Sequence, residues 1–173
     1  MSRETNFKRP VTFSLTGKVK KIQQIALGAL KAPGVKPATY GDFGLNGSYS
    51  FAKDDENSVS VTVPLPRDMD KLVAPSLGIG WSSPATTGNV YWRIQYLYRG
   101  VDEDTSSVTP DESLPSAETV SSTANGYKFK YFQLGVPSAT DRIIVLKISR
   151  LGADDLDTAD NVANQISLHS SAG

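Results

Sequence analysis

Hydrophobic and polar residues alternate along much of the chain. Residues 58–66, SVSVTVPLP, place Val59, Val61, Val63 and Leu65 on one face and Ser58, Ser60 and Thr62 on the other. A period of two is the mark of a half-buried strand, and Pro64 and Pro66 end it or put it at an edge. LGIGWSS, from Leu77, aligns Leu77, Ile79 and Trp81, with glycines between them that leave room for a close neighbour. GNVYWRIQYLYRG, from Gly88, divides into Val90, Trp92, Ile94, Tyr96 and Tyr98 against Tyr91, Arg93, Gln95 and Leu97. The even set reads as a core stripe. The odd set is amphipathic, which suits a surface covered by another chain. YKFKYFQL alternates Tyr127, Phe129 and Tyr131 against Lys128 and Lys130, and RIIVLKISR aligns Ile144, Leu146 and Ile148. Weaker strand signals surround Val11–Leu15, Thr119–Val120 and Ile166–Leu168.

About eight strands, separated by Gly, Pro, Asp and Ser clusters, predict an all-β, antiparallel, jelly-roll-like β-sandwich. Its core is expected to hold Trp92, Val59, Val61, Val63, Trp81, Ile94, Phe129, Ile144 and Leu146. Helical spacing appears once, in KVKKIQQIALGAL, where Val19, Ile22, Ala26 and Ala29 recur three or four apart, although Gly28 weakens a helix there and the β-branched content leaves a strand open. Residues 31–48, with their Pro and Gly, read as a linker or irregular surface strap.

Composition adds an asymmetry. The chain is neutral overall, yet residues 1–37 hold eight Lys/Arg against one acid, and residues 38–173 hold ten against seventeen. This divides the chain into a basic N-terminal arm with linker, 1–37, and a sandwich domain, 38–173. A basic arm suits docking on something acidic. Charge alone would hold it weakly, because isolated surface pairs contribute ~0–1 kcal/mol. Burial of its apolar residues, Phe13, Leu15, Ile22 and Ile25 among them, is the stronger force. Those four, with Tyr91, Arg93, Gln95 and Leu97, are the candidate oligomer or partner contacts.

Candidate chemistry is sparse. There is no Cys, hence no disulfide or thiolate metal site, and His169 is the one histidine. No nucleophile elbow or phosphate-binding loop is present. Catalysis, cofactor and metal are therefore not expected. Asp154, Asp155, Asp157 and Asp160 form one acidic cluster and Asp102, Glu103 and Asp104 another. Oxygen ligands suit Ca²⁺, but neither cluster has EF-hand spacing, and an ion pair from Arg150 to its neighbouring aspartates is the preferred reading. No apolar run approaches a membrane span, and the N-terminus has no signal-peptide apolar region. The arm has few aromatics (Phe7, Phe13) and the body is acidic, which disfavours nucleic acid.

The order VSVTVPLP, TGNVYW with a following acidic loop, then RIIVLKISR, an Asp-rich turn and a last strand resembles small jelly-roll proteins encoded among the structural genes of tailed bacteriophages. The resemblance covers roughly residues 58–170 and carries no functional residues with it. It implies a non-enzymatic virion structural protein assembled in the host cytoplasm. A capsid decoration or cement protein is the leading expectation, a symmetric homo-oligomer, trimer favoured, bound to the major capsid protein or another virion protein. The alternative is a tail or fibre component with a carbohydrate-binding, host-recognition role, for which Tyr91, Tyr127 and Tyr131 are the plausible aromatic contributors.

Overall fold

A computed structural model of the protein describes residues 20–32, 34, 36–43, 46–106, 109–159 and 162–171. The expected strand at 11–16, with candidate contacts Phe13 and Leu15, lies outside the described residues. Ten strands are present among them: β1 Lys20–Ile25, β2 Thr39–Phe43, β3 Asn46–Phe51, β4 Glu56–Pro64, β5 Ser76–Ser82, β6 Asn89–Arg99, β7 Glu112–Thr119, β8 Lys128–Gln133, β9 Ile143–Leu151 and β10 Val162–Ser171. They form two antiparallel sheets. One follows the order β2-β3-β10-β5-β8, with β1 also paired to β10; the other follows β4-β9-β6-β7. The chain crosses between sheets at β3–β4, β4–β5, β5–β6 and again at β7–β8, β8–β9 and β9–β10. This is a jelly-roll β-sandwich, as the alternation predicted.

The core lies between the sheets. Val59, Trp92, Ile94, Ile144, Leu146 and Ile148 from one face meet Phe51, Leu77, Ile79 and Trp81 from the other, all buried. The indole of Trp92 makes edge contacts with Phe51 at 5.2 Å and Trp81 at 6.1 Å. The even residues of β6 are thus a core stripe, as read from the sequence.

Arg150 also enters this core, fully buried with Asp157. Its Nε donates to Asp157 Oδ2 at 2.8 Å and Nη2 to Oδ1 at 2.6 Å. Its Nη1 donates to the carbonyl of Phe51 in the opposite sheet at 2.9 Å. The expected Arg150–aspartate ion pair is present. It ties β9, β3 and the acidic turn together.

Two expectations are corrected here. Residues 18–30 do not form a helix: their described part is strand β1, in register with β10 from Lys20–Ser171 to Ile25–Ile166, followed by one 3-10 turn at Leu27–Ala29. The reason is tertiary. β10 offers an unpaired edge, and the β-branched Ile22 and Ile25 fit a pleated surface as well as a helical one. Residues 31–48 are irregular only in part, since they supply β2 and the start of β3. Lys31 and Pro37 each bridge the outer edge of β4, at Ser60 and Ser58, as points of a strap. Lys31 and Ser60 exchange backbone hydrogen bonds at 2.8 Å, and Ala38 N–H donates to the Ser58 carbonyl. An exposed strand edge is thereby covered.

Candidate ligand-binding face

The third correction defines the site. Phe129, expected in the core, is 40% exposed, and Tyr127 and Tyr131 are 59% and 53% exposed. The alternation of β8 holds, but with the opposite face inward. Lys128 and Lys130 take the inner positions, and Lys130 Nζ reaches Glu118 of the facing sheet at 2.6 Å. β8 is the last strand of its sheet. Its inner positions therefore open to solvent at the side of the sandwich, where a lysine can run its alkyl stem along the core and keep its ammonium wet.

The rings go outward because β5 makes room for them. In register, Gly80 pairs with Phe129 and Gly78 with Tyr131. Tyr127, just before β8, extends across the strand, so that a Cβ built on Gly80 would lie 1.8 Å from its hydroxyl oxygen and 2.5 Å from Cζ. The phenol is thus laid on bare backbone. The close neighbour for which the β5 glycines leave room is Tyr127. The turn before it is fixed by Asn125 N–H donating to the Ser83 carbonyl at 2.7 Å and Gly126 N–H to the Thr123 carbonyl at 2.8 Å. Gly126 is required there, since a Cβ would meet Ser121 Oγ at 2.1 Å and the Thr123 carbonyl at 2.8 Å.

The three rings form a continuous row. Tyr127 and Phe129 have centroids 6.4 Å apart and planes tilted 39°, and Phe129 and Tyr131 are 4.7 Å apart at 63°. Burial pushes the Tyr127 phenol above its usual pKa of 10.0, and the nearby Tyr131 adds to the shift, so its hydroxyl stays protonated at neutral pH. Across β5, Gln165 and Ser167 of β10 stand in register with Gly80 and Gly78. Ile22, 59% exposed on β1, belongs to the same sheet face by register.

The other candidates are placed elsewhere. Tyr91, Arg93, Gln95 and Leu97 belong to the outer side of the opposite sheet, so Tyr91 does not join Tyr127 and Tyr131. Tyr91 N–H donates to Asp157 Oδ2 at 2.9 Å, and Arg93 is ion-paired with Glu56. Leu97 and Ile25 are buried, at 6% and 8% exposure, so neither offers a contact surface on the monomer. Both are filled from within the chain, Ile25 as part of the core cluster.

A cleft of about 390 Å³ at the end of the sandwich is lined by Tyr96, Tyr98, Asp111, Val136 and Asp141. Its tyrosines are buried and bracket Gly135. Tyr98 OH donates to the Gly135 carbonyl at 2.9 Å, and Gly135 N–H donates to Tyr96 Oη at 2.6 Å. They pin the β8–β9 loop to β6 and present no open ring face. Among the described residues no group of three or more His, Asp or Glu is placed to hold a metal ion, and no helix is long and apolar enough to cross a membrane.

No family model matches the chain, and no curated protein matches it in sequence. Solved structures do share its architecture. It is similar to the K1 cleaved adhesin domain of Lys-gingipain from Porphyromonas gingivalis W83, at 10% identity and a TM-score of 0.53, over 90% of this chain and 99% of that one. A weaker likeness, TM-score 0.48 at 13% identity, links 86% of the chain to 89% of the C-terminal family 22 carbohydrate-binding module of Clostridium thermocellum Xyn10B. A third, TM-score 0.49 at 9% identity, covers 87% of this chain but only 29% of an exo-β-1,3-galactanase from Phanerochaete chrysosporium. At 10% identity the adhesin-domain match is a likeness of fold, and it agrees with the sandwich topology read directly from the strands.

Proposed function

We propose that the protein is a non-catalytic, carbohydrate-binding jelly roll that holds a glycan against the row formed by Tyr127, Phe129 and Tyr131. One observation carries this reading: the hydroxyl end of the Tyr127 ring is seated where a Cβ on Gly80 would stand, and the residue remains 59% exposed. A ring seated by the fold and open to solvent is preorganised for stacking, so little side-chain freedom is lost on binding. Sugars present apolar C–H faces to such a ring and hydroxyls to flanking donors and acceptors. Clustered exposed aromatics mark interaction surfaces in general. A nucleic-acid ligand would need cations beside the rings, and the two lysines of β8 sit on its other side.

This is the tail- or fibre-type alternative of the sequence analysis. The resemblance to phage structural proteins supplies a setting for it: a surface component that meets a glycan-coated host. Decoration of a capsid by a symmetric oligomer would instead bury the ring row or the β6 outer face against a neighbour.

Affinity electrophoresis through gels containing soluble polysaccharides tests the proposal. The full chain is expected to be retarded by at least one polysaccharide. Tyr127→Ala and Tyr131→Ala, at exposed positions, are expected to keep the melting temperature and to lose binding by about tenfold or more, a change of roughly 1.4 kcal/mol. Unretarded migration in every gel would overturn it, as would variants that bind as tightly as the parent.

A further inference from the structure

We infer that the ligand is a neutral, linear polysaccharide, engaged as a single chain along its length rather than at its end. This rests on the glycan reading above and narrows it by three features of the ring row.

The first is charge. The chain carries 18 basic and 18 acidic residues, yet the outward positions of β5 and β8 beside the rings are Ser76, Gly78, Gly80 and Gln133. Lys128 and Lys130, the charged residues of β8, occupy its inner positions, and Lys130 is engaged by Glu118. Recognition of a uronate or sialic acid carboxylate draws on a cation or a cluster of strong donors at the contact. In the register of this face the basic positions are His169 of β10, opposite Ser76, and Lys20 at the far end of β1, so no lysine or arginine position adjoins the rings.

The second is the turn of the row. Successive ring planes tilt by 39° and 63°. A flat array, such as the face of a crystalline polysaccharide, would touch one ring at a time. A single chain that twists about its own axis can present a C–H face to each in turn.

The third is openness. The rings follow the edge strand β8 from the turn before it, on a sheet face rather than among loops. The cleft lined by Tyr96 and Tyr98 does not include the rings. A row open at both ends accepts the middle of a chain. Affinity should then accumulate with each sugar that reaches another ring.

Calorimetric titration of the full chain with xylan, mixed-linkage β-glucan, galactan and polygalacturonate, and with neutral oligosaccharides from di- to hexasaccharide, tests this. A pull-down on microcrystalline cellulose completes the set. The inference expects binding to at least one neutral soluble polymer. Affinity should rise about tenfold or more from disaccharide to the longer oligomers and change little between low and high salt. Three results would each overturn it while leaving the glycan reading intact: preference for polygalacturonate, a monosaccharide bound as tightly as the hexasaccharide, or retention on microcrystalline cellulose above soluble chains. Silence toward every probe would take both down together.

Discussion

At the scale of single residues, the Arg150 guanidinium holds the two sheets and the acidic turn in one network, fully removed from water with Asp157. A buried pair of this kind is weak evidence of net stabilisation, but breaking it strands a charge. Asp157→Ala is expected to cost about 3–5 kcal/mol, read as a lower denaturant midpoint. Trp92→Ala should cost a similar ~3–5 kcal/mol by leaving a cavity between Phe51 and Trp81. A loss under ~1 kcal/mol for either would show that these side chains do not organise the core. Gly80→Ala tests the platform from beneath. Its Cβ would collide with the Tyr127 ring, so the ring must leave its seat. The expected outcome is loss of glycan binding with a near-normal melting temperature. Unchanged affinity would mean that the seat is irrelevant to binding. The Arg150 ion pair was legible in the sequence because Asp157 lies seven residues away, whereas the bond to the Phe51 carbonyl was not. Nor was the exposure of Phe129. Period-two alternation names two faces of a strand without saying which is inside, and at β8 the edge position and the glycines of β5 reverse the usual order.

At the scale of elements, the sandwich strands β4, β5, β6, β8 and β9 were readable from alternation, and the register between them was not. β1, β2 and β3 escaped for a different reason. Their sequences are short or Gly-rich, and they are strands because β10 and β3 provide edges to pair with. Propensity yields to tertiary pairing in such segments. The consequence is testable. Removing residues 1–37 takes away β1, the strap over β4, and the buried Ile25 and Leu30. Each buried aliphatic side chain is worth about 1.5–3 kcal/mol. The truncation should therefore lower the melting temperature by roughly 10 °C or more and expose two strand edges to aggregation. A truncated protein that melts like the full chain would show that β1 adds nothing to the sheet.

At the scale of the whole molecule, the candidate site is a sheet face rather than a cleft. Tyr127, Tyr131, Ile22 and the glycines of β5 are each legible in the sequence, but their meeting on one face depends on pairing between strands far apart in the chain. Tyr91, named with Tyr127 and Tyr131, belongs to the other side of the sandwich. The fold keeps charge away from the rings and leaves the Tyr127 hydroxyl with a raised pKa. Binding should accordingly be flat with pH up to the ordinary tyrosine range near 10.0 and fall only above it, as the phenol ionises. A loss of binding between pH 6 and pH 8, read by the same titrations, would point to another group. The central claim, that a glycan rests on this row, is tested most directly by amide and ring-proton chemical-shift mapping of the full chain during titration with the soluble polysaccharide it retains best. Shifts concentrated at Tyr127–Gln133, Gly78 and Gly80, and abolished in Tyr127→Ala, are the predicted result. Shifts confined to the β6 outer face or to the Tyr96–Tyr98 cleft, with the ring row silent, would contradict it.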